Sequence, residues 1–346
     1  MILPTPRGLA PRTAFVAARL LVPAVFLVHA TTADAQQFQH QVGLLPGVVW
    51  SEGVEAADVD RDGDMDLFFA DGDGFSSAGT KRQNTLLINR IVETSTLSFQ
   101  DESVARLGVH VSNAKGVFTG DVDGDGFVDA MFANAFNTDL PFLYMNRGAV
   151  QPGFFDEEGA ARGFTEALSS ASGQFGDLDD DGDLDVVLCD SGALFLGGSG
   201  GKQRLYLNDG SGSFSEVTGP AWNPPTKSSQ MDIQFVDVDG DFDLDVLGTN
   251  RASNGGRPHT LMINDGAGSF SDASTSFPAT SSSVYEAEVG DLDGDDDLDL
   301  FFVSLTGFDE GAMRNDTPIS GAPAFVPQSA LSATFDDNEV VLVDYD

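Results

Sequence analysis

The chain has 346 residues, with 17 Lys and Arg against 55 Asp and Glu and a formal charge of −38. A phosphate backbone needs a basic footprint, so this balance excludes nucleic acid as a partner. With 41% hydrophobic residues and 27 phenylalanines, the chain is too rich in core material for a disordered acidic tail.

At the N-terminus, Arg7, Arg12 and Arg19 precede an apolar run from Leu20 to Ala30, followed by Ala33-Asp34-Ala35. Basic region, short apolar region and small-x-small site read as a secretory signal peptide over residues 1–35, cleaved after Ala35. The remainder is then secreted, extracellular or at the cell surface, with the periplasm also open. The apolar run is interrupted by Pro23 and is too short to span a bilayer. No later stretch is long enough for a transmembrane helix. A single cysteine, Cys189, follows Val186-Val187-Leu188 and is expected to be a buried, inert thiol. An exported protein without a disulfide needs another staple, and a metal ion is an obvious candidate.

From residue 58 onward a nine-residue acidic segment recurs at Asp58–Asp66, Asp121–Asp129, Asp177–Asp185, Asp237–Asp245 and Asp291–Asp299. The five segments hold 26 of the 55 acidic residues, so the charge is concentrated rather than spread over a solvated surface. A further copy begins at Asp344-Tyr345-Asp346. Each segment leads into a short apolar run, such as Leu67-Phe68-Phe69, Val186-Val187-Leu188 or Leu300-Phe301-Phe302. Such runs fit strands buried on both faces. A third strand signal follows in Leu86-Leu87-Ile88-Asn89, Phe142 to Asn146, Leu205-Tyr206-Leu207-Asn208 and Leu261-Met262-Ile263-Asn264. Glycine-rich hairpin turns, Asp209 to Gly212 and Asp265 to Gly268, then lead to Phe214 and Phe270.

With a strand before each acidic loop, the pattern predicts four strands per repeat and no long helix. That is an all-β chain and the arithmetic of a β-propeller with four-stranded blades. Residues 36–346 form five complete blades and the start of a sixth. Val340-Val341-Leu342-Val343 reads as its first strand, so the expectation is a ring cut short from about seven blades. The segment from Phe38 to Val42 is a candidate fourth strand for closing it.

Carboxylates at positions 1, 3, 5 and 9 of a tight loop repel one another unless a hard cation neutralises them. All-oxygen donors without His or Cys favour Ca²⁺ or Mg²⁺ over zinc or copper, and a crowded carboxylate cage favours Ca²⁺. Position 7 is Asp64, Phe127, Asp183, Asp243 or Asp297, and the phenylalanine implies use of the backbone carbonyl there. Position 6 is Gly63, Gly126 and Gly182 in the first three loops but Phe242 and Asp296 in the last two. Those two loops are expected to be strained, with Gly240 and Gly294 at position 4 as relief. An EF-hand would need Glu at position 12; the residues there are Phe69, Phe132, Leu188, Gly248 and Phe302.

The run Gly120-Asp121-Val122-Asp123-Gly124-Asp125-Gly126-Phe127-Val128-Asp129, with its copies, resembles the FG-GAP/VCBS repeats of integrin-α-type propellers. The resemblance implies Ca²⁺ in a hairpin loop between the first two strands of each blade, about five sites in all. It also implies ligands from the side chains at positions 1, 3, 5 and 9 and the carbonyl at 7. Carried over, the sites are Asp58, Asp60, Asp62, Asp64 and Asp66; Asp121, Asp123, Asp125, Phe127 and Asp129; Asp177, Asp179, Asp181, Asp183 and Asp185; Asp237, Asp239, Asp241, Asp243 and Asp245; and Asp291, Asp293, Asp295, Asp297 and Asp299. Blade ends such as Phe99 to Gly108 and Phe155 to Phe164 resemble linkers of the secreted bacterial ASPIC/UnbV (CRTAC-like) group.

Gly197 to Lys202 lacks the residues of a phosphate loop, and His40, His110 and His259 form no catalytic arrangement. Asn315-Asp316-Thr317 matches a glycosylation sequon. Three functions follow: an extracellular binding or adhesion module for a protein or glycan, a structural segment of a larger surface protein, or a polysaccharide-active enzyme such as a lyase. The first is the expectation, without enzymatic activity.

Overall fold

The computed structural model describes residues 26–28, 38–40, 43–45, 50–74, 77–192, 200–225, 230–251, 259–277, 283–304 and 310–328. Most of the signal-peptide segment lies outside these residues, as do the candidate sixth strand and the last acidic copy. Five four-stranded antiparallel sheets follow one another along the chain. Blade 1 is Ser51–Ala57, Asp66–Asp71, Thr85–Asn89 and Phe99–Asp101. Blade 2 is Ala114–Gly120, Asp129–Asn134, Phe142–Arg147 and Gln151–Glu157. Blade 3 comprises Gly173–Gly176, Asp185–Leu188, Arg204–Asn208 and Phe214–Glu216. Blade 4 comprises Gln230–Val236, Asp245–Asn250, His259–Asn264 and Phe270–Asp272. Blade 5 is Val284–Gly290, Asp299–Ser304, Gly311–Asn315 and Phe325–Pro327.

The first strands of successive blades pack side by side from blade 1 through to blade 5. Together with the up-and-down order inside each sheet, this is a β-propeller of four-stranded blades. Among the described residues, the first strands of blades 5 and 1 do not pack together in this way. Phe38–His40 is not a fourth strand of any of the five sheets: it pairs antiparallel with Phe26–Val28.

Burial explains the apolar runs. The second strands Asp129–Asn134 and Asp245–Asn250 are buried along their whole length, as a strand sandwiched between neighbouring blades must be. The core is correspondingly divided by seams. One cluster joins blades 1 and 2 through Phe68, Phe132, Tyr144 and Phe155, and another joins blades 2 and 3 through Phe118, Phe164, Leu188 and Phe214. Two more fill the seams between blades 3 and 4 and between blades 4 and 5. Cys189 is fully buried in the third seam, as expected for an inert thiol.

Two short helices, Ile91–Thr94 and Ser103–Leu107, depart from the strand-and-turn pattern. The second packs Leu107 into the first seam and carries the buried Arg106.

Candidate metal centres

Every acidic segment is the hairpin loop between the first and second strands of its blade, and its ninth residue opens the second strand. The loops are built from their own aspartates. At position 1, Asp58 accepts the backbone N–H groups of Asp62 and Gly63 at 3.1 Å each. Asp121, Asp177, Asp237 and Asp291 do the same for N–H groups of their own loops. At position 5, Asp62, Asp125, Asp181, Asp241 and Asp295 each accept the position-7 N–H, at 2.9–3.3 Å.

Position 9 is different, because both carboxylate oxygens are committed to backbone donors. In Asp66, Asp129, Asp185, Asp245 and Asp299, one oxygen accepts the position-2 N–H at 2.9–3.2 Å. The other accepts the N–H of the asparagine at or next to the end of the third strand, at 2.7–2.9 Å. Burial outweighs these donors and pushes Asp66, Asp129, Asp185 and Asp245 up to about 7. The position-9 aspartate therefore ties loop, second strand and third strand together.

That asparagine also closes the seams. Asn146, Asn208, Asn264 and Asn315 each donate from Nδ2 to the position-2 carbonyl of the preceding blade, on Val59, Val122, Leu178 and Val238, at 2.7–2.9 Å. Asn315 is wholly buried in this role, so its sequon is a structural element and not an exposed acceptor.

Each loop turns on two left-handed residues, not on position 6 alone. The pairs at positions 4 and 6 are Arg61 and Gly63, Gly124 and Gly126, Asp180 and Gly182, Gly240 and Phe242, and Gly294 and Asp296. Glycine at position 4 thus does not relieve position 6: Phe242 keeps φ at 75° and its ring is 86% exposed. A bulky side chain in this region is strained. Phe242→Gly is expected to stabilise the protein by about 0.5–1 kcal/mol, read as a higher denaturant midpoint with unchanged slope.

Carboxylates from positions 1, 3 and 9 converge in the second, third and fourth loops: Asp121, Asp123 and Asp129; Asp177, Asp179 and Asp185; Asp237, Asp239 and Asp245. In each trio the oxygens lie within 4.8 Å of one another. The first loop instead gathers Asp58, Asp60 and Asp62, and a second group there joins Asp62 and Asp64 with Glu93 from the helix Ile91–Thr94. Glu93 lies outside the repeat and has no sequence signal. Asp64 also accepts the N–H of Val92 at 3.2 Å, so its side chain has a role beyond its carbonyl. Phe127 at the same position lies under the Arg61 guanidinium, 4.9 Å from the ring centre, leaving its carbonyl as the only oxygen there. Asp183 and Asp243 pack against the turn glycines Gly210 and Gly266.

Buried oxygens on Asp60, Asp121, Asp179, Asp239 and Asp297 have no hydrogen-bond partner. Burial and neighbouring aspartates raise Asp60, Asp123, Asp179, Asp239, Asp293 and Asp297 above the ordinary carboxylate range. Buried carboxyl oxygens without donors, crowded against other carboxylates, fit a hard divalent cation. Several of these clusters could hold a metal ion, which when bound would neutralise the carboxylates.

Residues 177–248, from the third acidic loop into the second strand of blade 4, match the FG-GAP-like repeat family. The chain carries that repeat within a propeller of like-built blades. No curated protein matches the chain. Solved structures similar to it include the V. cholerae biofilm matrix protein Bap1, at 14% identity and a TM-score of 0.41, covering 78% of this chain and 38% of that one. The Bacillus licheniformis rhamnogalacturonan lyase PL11 is 14% identical with a TM-score of 0.41, covering 81% and 46% respectively. An exo-β-1,3-galactanase from Phanerochaete chrysosporium is 10% identical with a TM-score of 0.37, covering 92% and 90%. The chain spans less than half the length of the first two. No helix among the described residues is long and apolar enough to cross a membrane.

Proposed function

We propose that the protein is a secreted calcium-binding β-propeller serving as an extracellular binding or adhesion module for a protein or glycan, without enzymatic activity. The observation that carries the calcium reading is the recurrence of buried, donorless carboxylate oxygens in equivalent loops at the seams between blades. Calcium in this reading is structural: it holds each loop, and through the loop the seam to the next blade.

Support for the binding role comes from the other end of the strands. Outside the acidic loops, buried side-chain atoms without a partner, such as Asn84 Nδ2, Asn134 Oδ1, Gln203 Oε1, both amide atoms of Asn250 and Ser304 Oγ, lie at or beside the end of a second strand or the start of a third. That end lies opposite the acidic loops, although Asp71 and Asp190 also stand there. Uncharged amides and hydroxyls of this kind are completed by ordered water or by a polar, uncharged ligand such as a glycan. The histidines offer little to general acid–base chemistry. His259 is buried between Phe277 and Phe302, and burial pushes it down to about 4. His110 meets the hydroxyl of the buried Tyr144 at 3.1 Å.

A glycan array and a pull-down from the native surface, each with and without chelator, test this reading. Binding that disappears with chelator and returns with calcium supports it. Turnover of a polysaccharide to unsaturated products would replace it with the lyase alternative.

A further inference from the structure

We propose that Arg106 and Arg162, on the linkers leaving blades 1 and 2, are resident counter-charges for the position-3 carboxylates Asp60 and Asp123. They make the first two metal sites weaker but less metal-dependent than those of blades 3 and 4. The inference rests on the calcium reading of the loops and adds a ranking among them.

Both arginines sit seven residues after the phenylalanine that pairs with the blade asparagine, Phe99 in blade 1 and Phe155 in blade 2. Each is held by a glutamate four residues earlier: Glu102 bonds Arg106 at 2.6 Å and Glu158 bonds Arg162 at 2.8 Å. Each reaches across the seam to the outer hairpin of the next blade. Arg106 donates to the Gly153 carbonyl at 3.2 Å and Arg162 to the Ser211 carbonyl at 2.6 Å. Arg106 is 7% exposed and pairs with Asp60 Oδ2 at 3.2 Å, while Asp60 Oδ1 is buried without a partner. One oxygen is thereby neutralised by the guanidinium and the other is left for the cation.

The second copy brings Arg162 near Asp123 without pairing with it, and its charge lowers the raised Asp123 carboxyl. A Cβ on Gly212 would lie 2.6 Å from Arg162 Nη1 and 3.4 Å from Asp123 Cβ, and one on Gly153 would collide with Arg106 and approach Asp60 Cβ at 2.9 Å. A Cβ on Gly268 would likewise lie 3.1 Å from Asp179 Cβ, but its nearest atoms among the described residues include no arginine or lysine. The residues at the arginine's position in the next two linkers are Ala221 and Phe277. Among the described residues, Arg106–Asp60 is the one ion pair on a position-3 carboxylate of the first four loops, and none reaches Asp123, Asp179 or Asp239. A fixed positive charge repels an incoming divalent ion and lowers the repulsion it would otherwise relieve.

Thermal melts of wild type, Arg106→Gln and Arg106→Lys, each with chelator and with saturating calcium, test the idea together with calorimetric calcium titration. Arg106→Gln is expected to lower the melt in chelator, to enlarge the rise on adding calcium, and to tighten one site about tenfold. Arg106→Lys keeps the charge and should keep the wild-type calcium increment even where it lowers both melts; it also serves if the Gln variant does not fold. Equal lowering with and without calcium, and no tightened site, would mean that Arg106 only packs the seam, and would overturn the proposal. A wild-type melt indifferent to calcium would overturn the calcium reading itself.

Discussion

Chelating calcium is expected to lower the melting temperature sharply and to steepen its fall with rising pH. At a calcium concentration ten times the dissociation constant, each site adds about 1.4 kcal/mol. Five sites of that strength acting on one cooperative unit would add about 7 kcal/mol, comparable with the whole net stability of an ordinary domain. In chelator, the position-9 carboxyls Asp66, Asp129, Asp185 and Asp245 stand at about 7 against an ordinary 3.8. Between those values the folded chain holds protons that the unfolded chain has released, so stability falls as pH rises from about 4 to 7. With calcium saturating, the cation would take the place of those protons, so neither state would release protons over most of that window and the fall would flatten. Scanning calorimetry across pH, with and without chelator, reads both slopes. Parallel slopes, or a melt that ignores chelator, would remove the loops from the stability of the fold.

The second large effect is expected at the seam between blades 2 and 3. Asn208 donates to Val122 O at 2.7 Å and Leu184 O at 3.1 Å, and accepts the N–H groups of Gly210 and Gly212 at 3.2 and 3.0 Å. Asn208→Ala leaves these buried groups without partners, at a cost of about 3–4 kcal/mol. Asn208→Asp keeps the acceptor but turns a carboxylate toward two carbonyls beside an acidic loop, so it is expected to cost more than the alanine variant. Denaturant unfolding of both variants in saturating calcium measures the order. An aspartate variant as stable as wild type would show that the Nδ2 donor contributes nothing across the seam.

Much of the architecture was legible along the chain because it is written locally and repeatedly. Four strands per repeat, the acidic loop between the first and second, and the aspartate that opens the second strand all recur at spacings of 54 to 63 residues. Carboxylates at every second position also suit a cation through their mutual repulsion, without reference to anything distant. The asparagines ending the third strands were visible as residues, but their role was not. Their partners Val59, Val122, Leu178 and Val238 lie 77 to 87 residues away in the preceding blade. No local pattern distinguishes such an asparagine from a turn residue, or in Asn315 from a glycosylation acceptor.

Only the tertiary structure showed that the loops turn left-handed twice. Arg61 and Asp180 stand at position 4 beside the glycines Gly124, Gly240 and Gly294, so residue type alone does not mark that position. The same holds for Arg106 and Glu93, which come to the first site from short helices outside the repeat. The chain by itself determined the blade, because a blade is made of neighbours in sequence. The seams, and the charges that cross them, were decided only when the blades packed, because each seam contact joins one repeat to the next.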